Sequence, residues 1–144
     1  MDKKDEKILE LLRENSKITA QQVSKKTLIP ITTVHNRIKR LEQEGVIKKY
    51  TLELDNKKLG KNLAAFIQIN VDYNLLKKIS QYELTKKIKN HESVEEAAMV
   101  TGATDIIIKV RVKGVEELDY FVTKYLRSIE GIEKTQTMVI LNEI

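Results

Sequence analysis

The chain has 144 residues, with 26 Lys and Arg against 21 Asp and Glu and a formal net charge of +5. It has no cysteine, which excludes a disulfide framework and a thiolate metal site. The amino terminus is hydrophilic and no apolar run approaches the ~18 residues of a membrane span, so we expect no signal peptide, no membrane partner and a cytoplasmic protein.

The positive charge is confined to one half of the chain. Residues 1–60 contain 14 Lys and Arg against 9 Asp and Glu, an excess of 5, whereas residues 61–144 contain 12 of each. A basic module joined to a neutral one is typical of a nucleic-acid-binding part with a partner domain.

Start signals predict two short helices in the basic half. Asp2 is a suitable N-cap for a helix that runs to about Glu14. Thr19 and Gln22 have the spacing of a capping box, which predicts a second helix over 20–26.

Pro30 suits the first position of a third helix. Its apolar stripe has helical spacing and is predicted to pack into a small core: Ile31, Val34, Ile38 and Leu41. The opposite face carries short polar side chains followed by cations: Thr32, Thr33, Asn36, Lys39 and Arg40. Two helices that are joined by a tight connection, with exposed cations on the second helix, are typical of a helix-turn-helix.

A recognition helix needs this layout, because small polar groups reach base edges while Lys and Arg meet phosphates. We therefore expect the polar face to read the major groove, with His35 and Arg37 on its flanks and Lys48 and Lys49 on phosphate. The alternative is a solvated surface helix, with surface packing for His35 and a salt bridge to a nearby glutamate for Arg37.

Residues 46–54 alternate as on a strand, which predicts either a wing after the recognition helix or an arm between domains. The expected organisation is a helix-turn-helix DNA-binding domain over 1–50, a linker strand over 51–62 and a second domain over 63–144.

The second half reads β-α-β-β-α-β, the split βαβ arrangement of an α+β fold with both helices on one side of a four-stranded sheet. The first helix is expected to start after Asn74 and to bury Leu75 among other residues. Bulky apolar groups are predicted on the uncovered face: Phe66, Ile107, Met138 and Ile140. Such a face favours pairing with a second copy, and a twofold dimer would present two reading helices to DNA.

The stretch from Leu28 to Ile47, with Tyr50 and the Lys-Lys-Leu-Gly segment that ends at Gly60, resembles the Lrp/AsnC (leucine-responsive, or feast/famine) regulators. The turn from Val100 to Ile106 resembles that family's Thr-Gly-x-x-Asp turn, so the resemblance covers nearly the whole chain. It implies a ferredoxin-like second domain that forms oligomers, from dimers to tetramers or octamers, and responds to a small amino acid.

The same resemblance places an effector pocket beside this turn, where dimers meet. The positions that it implies are Met99, Thr101, Gly102, Thr104 and Asp105. Alternatively, Gly102 only supplies a positive φ and Asp105 only caps the turn locally.

The leading hypothesis is a sequence-specific, amino-acid-responsive transcription regulator. The alternatives are an architectural DNA-compacting protein of low specificity and an amino-acid-binding subunit of an enzyme. We expect neither a cofactor nor catalysis, because the two histidines, His35 and His91, have no ligand neighbours at metal-site spacing and no nucleophile or phosphate-binding motif occurs.

Overall fold

The computed structural model describes residues 1–74, 76 and 79–143, and the chain divides into two compact units, Met1–Leu54 and Asp55–Ile144. Among the described residues, none of the helices is both long and apolar enough to cross a membrane.

The first unit consists of three helices. They are α1 Lys3–Glu14, α2 Ala20–Thr27 and α3 Ile31–Gln43. Both predicted caps are present: the Asp2 carboxylate accepts hydrogen bonds at the start of α1, and Thr19 forms a reciprocal capping box with Gln22 at the start of α2. The helix α3 has no side-chain cap, and Pro30 stands one residue before its first turn rather than inside it.

The turn between α2 and α3 is closed by side chains. The Ser24 hydroxyl donates to the Ile29 carbonyl at 2.6 Å, and the Thr27 hydroxyl donates to the Val23 carbonyl at 2.7 Å. Leu28 takes the left-handed conformation with φ 59° and is 90% exposed. These contacts direct Ile29, which is 4% exposed, into the core.

The core of the first unit differs from the predicted stripe at one position. Val34 and Leu41 are fully buried and Ile38 packs against the core, but Ile31 is 41% exposed. The reason is rotational. At 100° per residue the buried direction of α3 lies near Val34 and Leu41, and Ile31 falls about 60–80° away from it. Ile29 fills the space that the sequence pattern assigned to Ile31.

The predicted wing and the 51–62 linker strand are absent: residues 48–62, all of them described, contain no strand. A strand needs a neighbouring ladder for its backbone groups. Instead, the Asp55 carboxylate accepts hydrogen bonds from the amides of Lys57 and Lys58, and the chain turns at 56–60. The alternating apolar side chains Tyr50, Leu52 and Leu54 are exposed.

The second unit has the predicted βαββαβ order. Its strands are β1 Leu63–Val71, β2 Val94–Met99, β3 Ile106–Val112 and β4 Ile132–Val139, all antiparallel in the order β2-β3-β1-β4. The central strands β1 and β3 each send alternate side chains into one core, which the helices cover.

The first helix of this unit, α4 Gln81–Lys89, begins later than expected. Ser80 rather than Asn74 is its N-cap, because the Ser80 hydroxyl and the Glu83 carboxylate complete a capping box. The predicted burial of Leu75 lies outside the described residues.

The last helix is irregular. It starts as α5 Val115–Tyr120, widens into a π-turn over Phe121–Tyr125 and tightens into a 3₁₀ turn over Leu126–Ser128. The wider turn brings Phe121 and Leu126, which are both buried, toward the same side of the helix.

The uncovered sheet face carries the four predicted apolar residues, half-buried or exposed, together with polar groups. Gln68 and Gln136 face each other on it, and Arg111 pairs there with Glu95 and with Glu143 from the C-terminal tail. The face is therefore mixed in character rather than purely apolar.

Candidate nucleic-acid interface and candidate effector turn

The solvent-facing side of α3 carries most of the predicted readers. Thr32, His35, Asn36, Lys39 and Arg40 are exposed, and Thr33 is half-buried. This face arises because Val34 and Leu41 anchor the opposite side in the core. A run of polar and cationic side chains along one helix is thereby held at the surface of a rigid unit.

Arg37 faces α1 rather than open solvent. Its Nη1 donates to the Asp2 carboxylate at 2.7 Å and to the Asp5 carboxylate at 2.8 Å, and the side chain is 19% exposed. The salt bridge that was the alternative for Arg37 is thus present, although its partners are two aspartates of the first helix and not a glutamate.

Arg40 is both ion-paired within the first unit and partly exposed to solvent. Its Nη2 donates to the second oxygen of the Asp5 carboxylate at 2.8 Å, and its Nε lies 3.7 Å from the Glu44 carboxylate. The side chain stays 45% exposed. Arg40 is therefore partly neutralised at its tip and still accessible from solvent.

These contacts shift the acidity of the groups involved. Burial alone would raise the pKa of Asp5, but the Asp2 amide, Arg37 and Arg40 together lower it below its usual range. The hydrogen bond from Arg37 is the largest cause that lowers the pKa of Asp2 to about 2. The same bonds raise the pKa of Arg37. The ion pairs of Arg37 with Asp2 and Asp5 therefore persist at neutral pH and join α1 to α3.

Lys48 and Lys49 are exposed on the segment that follows α3. The amide of Ile47 donates to the Leu41 carbonyl at 3.0 Å, and the Tyr50 hydroxyl donates to the Glu42 carboxylate at 2.7 Å. Partial burial and this hydrogen bond raise the pKa of Tyr50 to about 12. The two lysines are thus held near the end of α3 without a wing.

The candidate effector turn connects β2 to β3 in the second unit. Gly102 has φ +112° and is exposed, as are Thr101 and Met99, while Thr104 and Asp105 are half-buried. A β-carbon at Gly102 would meet nothing within 4 Å. The glycine is therefore required by the backbone conformation and not by a close neighbour.

The Asp105 carboxylate is engaged within the chain. One oxygen accepts from the Val71 amide at 2.9 Å, and the other accepts from the Tyr73 hydroxyl, also at 2.9 Å. This hydrogen bond is the largest cause that raises the pKa of Tyr73. Gln81 donates to the Asp105 carbonyl at 3.0 Å, and Asn70 donates to the Ala103 carbonyl at 2.6 Å.

The Asp105 carboxylate therefore does not cap its own turn, because both of its oxygens accept from groups more than 30 residues earlier in the chain. Sequence reasoning did not identify Tyr73, Gln81 and Asn70. Asn70 lies on β1, Tyr73 just after it and Gln81 at the start of α4, so only the tertiary fold brings them beside the turn.

Comparisons with known proteins agree with this two-part architecture. Residues 1–48 match the family model for a winged helix-turn-helix DNA-binding domain, and residues 64–144 match the model for the Lrp/AsnC ligand binding domain.

Curated relatives match along almost the full length. The HTH-type transcriptional regulator FL11 of Pyrococcus furiosus is 39% identical over 142 residues, which are 98% of this chain and 89% of that protein. An uncharacterized HTH-type transcriptional regulator of Pyrococcus horikoshii is 40% identical over 139 residues, covering 96% of this chain and 91% of that protein.

Solved structures are similar as well. LrpC of B. subtilis superposes with a TM-score of 0.85 at 26% identity, covering 100% of this chain and 96% of that one. The transcriptional regulator NMB0573 of Neisseria meningitidis, solved as a complex with L-Met, gives a TM-score of 0.89 at 25% identity, covering 100% and 92%.

A trihelical unit with an exposed polar and cationic helix, joined to a βαββαβ unit, defines a DNA-binding transcription regulator. The chain belongs to the Lrp/AsnC family.

Proposed function

We propose that this regulator binds duplex DNA by placing α3 in the major groove, with Thr32 and Asn36 toward base edges and Lys39 toward phosphate. The observation that supports this proposal is that these side chains are exposed on the face of α3 opposite the buried Val34 and Leu41. Lys48 and Lys49, exposed beyond the end of the helix, extend the same cationic strip toward the DNA backbone.

The contacts of the two arginines refine their proposed roles. Arg37 is held by Asp2 and Asp5, so its main task is to set the orientation of α3 against α1. Arg40 is more exposed and keeps donors available for phosphate or for a base. His35 and Thr33 lie on the flanks and complete the contact surface.

The test begins with in-vitro selection of a duplex site, followed by titration in a gel-shift assay. Asn36→Ala should weaken binding to the selected site by ~1–3 kcal/mol and relax base preference at one position. Asn90→Ala, an exposed asparagine of the second unit, is the matched control and should bind as the parent does. Equal affinity of Asn36→Ala and the parent for the selected site would contradict the assignment.

Lys39→Ala separates phosphate contact from base reading. It should weaken binding to all duplexes alike and reduce the slope of log K against log salt by about 0.9 for the one phosphate lost. Lys124→Ala removes an exposed lysine of the second unit and should leave the slope unchanged. An unchanged slope for Lys39→Ala would remove Lys39 from the interface.

Binding to the selected site should exceed binding to random duplex by ~10³ or more at one salt concentration. A ratio near one would favour the architectural, low-specificity function, since that function needs the cationic strip and not the polar readers.

We also propose that a small amino acid acts at the turn formed by Met99, Thr101, Gly102, Thr104 and Asp105. The match of residues 64–144 to a ligand-binding model and the L-Met complex of a similar protein support this. DNA affinity measured with a panel of amino acids should change for at least one of them. Thr101→Val, which removes an exposed hydroxyl, should weaken that response by up to about tenfold, the value of one hydrogen bond. An undiminished response would exclude Thr101.

The uncovered sheet face supports self-association as at least a dimer, with tetramers or octamers as higher assemblies. Phe66 is 39% exposed at its centre, between Lys109 and Met138 of the neighbouring strands. Phe66→Glu should shift the mass measured by analytical ultracentrifugation toward the monomer. Val115→Glu, at an exposed site at the start of α5, is the control. Unaltered assembly in Phe66→Glu would place the interface elsewhere.

A further inference from the structure

The start of α3 presents an apolar side chain to solvent. Ile31 is the first residue of the helix and is 41% exposed, and it is not part of the core cluster. Two apolar neighbours in the preceding turn, Leu28 and Pro30, are exposed as well. Leu28, Pro30 and Ile31 therefore form an exposed apolar surface at the start of the recognition helix. This surface is separate from the hydrogen-bonding face described above.

The rotation of the helix places Ile31 at the edge of the reading face. At 100° per residue, Ile31 lies 100° from Thr32 and 40° from His35, on the exposed side of the core direction. First-turn residues of a recognition helix contact base edges when the helix enters the major groove. Ile31 is in this first turn, so its exposed side chain reaches the groove at the edge of the face that Thr32 and Asn36 form.

We propose that Ile31 contacts the C5-methyl group of a thymine in the major groove and so selects thymine at one position of each half-site. This inference rests on the proposed docking of α3 and adds a base preference to it. In the major groove, the thymine methyl is the apolar feature of the base edges, and small apolar side chains contact it.

The chemistry of the side chain favours this target over the others at the interface. Isoleucine has no donor or acceptor, so it gains nothing from phosphate oxygens or from the polar base edges. Burying its methyl groups against polar atoms would leave those atoms without partners. Against the thymine methyl, both surfaces lose water without losing a hydrogen bond.

The experiment compares thymine with deoxyuridine, which lacks only the C5-methyl group. Each thymine of the selected duplex is replaced in turn, and affinities are measured for the parent protein and for Ile31→Ala. For the parent, one replacement per half-site should weaken binding about fourfold, the value of one buried methyl-sized group. Ile31→Ala should lose most of this difference between the thymine and deoxyuridine duplexes, because alanine lacks the three outer carbons of isoleucine.

The variant is expected to fold, because Ile31 is outside the core and alanine has the higher helix propensity. Val46→Ala is the matched control, since Val46 is 46% exposed but lies beyond the other end of α3. It should keep the fourfold preference for thymine.

Two results would overturn the inference by itself: a parent protein that is indifferent to every deoxyuridine replacement, or an Ile31→Ala variant that keeps the full preference. Failure to select any duplex site would overturn the base-reading function and this inference together. The two kinds of failure are therefore distinguishable.

Discussion

Replacing Asp5 by asparagine tests whether the buried carboxylate holds the reading helix in place. Asp5 is 1% exposed and accepts three hydrogen bonds, from the Asp2 amide at 2.9 Å, from Arg37 at 2.8 Å and from Arg40 at 2.8 Å. Asn keeps the shape but removes the charge, and its amide group would point donors at a guanidinium.

Hydrogen bonds to charged groups contribute about 1.5–3 kcal/mol each. The hydrogen bond with Arg37 should contribute within this range to the free energy of unfolding. The hydrogen bond with Arg40 should contribute less, because that side chain is 45% exposed to solvent. We therefore expect Asp5→Asn to destabilise the first unit by about 2–4 kcal/mol. For a unit of this size, total stability is only about 3–8 kcal/mol.

Hydrogen exchange read by mass spectrometry measures the effect in the full chain, because peptides from α1 and α3 report on the first unit alone. A loss of about 2–4 kcal/mol corresponds to roughly 30- to 700-fold faster exchange of amides that open with the whole unit. Peptides from β1 should exchange as before.

Glu6→Gln is the control, since it removes an exposed carboxylate from the same turn of α1. That change should cost only the helix-terminus interaction of about 0.3–1 kcal/mol. If Asp5→Asn accelerates exchange no more than Glu6→Gln does, the cluster contributes little and the orientation of α3 has another origin.

Two further predictions concern the second unit. Hydrogen bonds from Arg111, and also one from Lys109, lower the pKa of Glu143 from 4.5 to about 2. The contribution of this contact to stability is therefore present above about pH 4.5 and is lost as pH falls through about 2. Glu143→Gln should flatten that part of an acid-unfolding curve. A curve identical to that of the parent would refute the prediction. Gly131→Ala should destabilise by about 2 kcal/mol or more in urea unfolding, because φ is +95° and the new β-carbon would lie 2.6 Å from Leu76. Gly102→Ala, with φ +112° and open space, should cost about 1 kcal/mol, so equal losses would contradict the close approach at Gly131.

The sequence by itself determined the secondary structure where the signals are local. The capping box of Thr19 and Gln22 depends on atoms three residues apart, so it could be predicted without the fold and is present at the expected place. The alternation along β1 and β3 likewise predicted which side chains face the core, and the βαββαβ order followed.

Features that depend on a choice between local alternatives could not be predicted from the sequence. Ser80 with Glu83 outcompeted Asn74 as a helix start, and the alternating segment after α3 formed no strand. The hydrophobic period of α3 admitted Ile31 to its buried stripe, but Ile29 in the preceding turn occupies that place.

Only the tertiary structure decided which polar and charged side chains bind each other. Asp5 reaches Arg37 across 32 residues of sequence, and Tyr73 reaches Asp105 across the same separation. The spacing of these residues in the sequence predicts neither pair, because the contacts exist only after the helices pack and the strands take their register. Local patterns specify helices and faces through short-range geometry, whereas partners distant in the chain are selected by the packing of those faces into a common core.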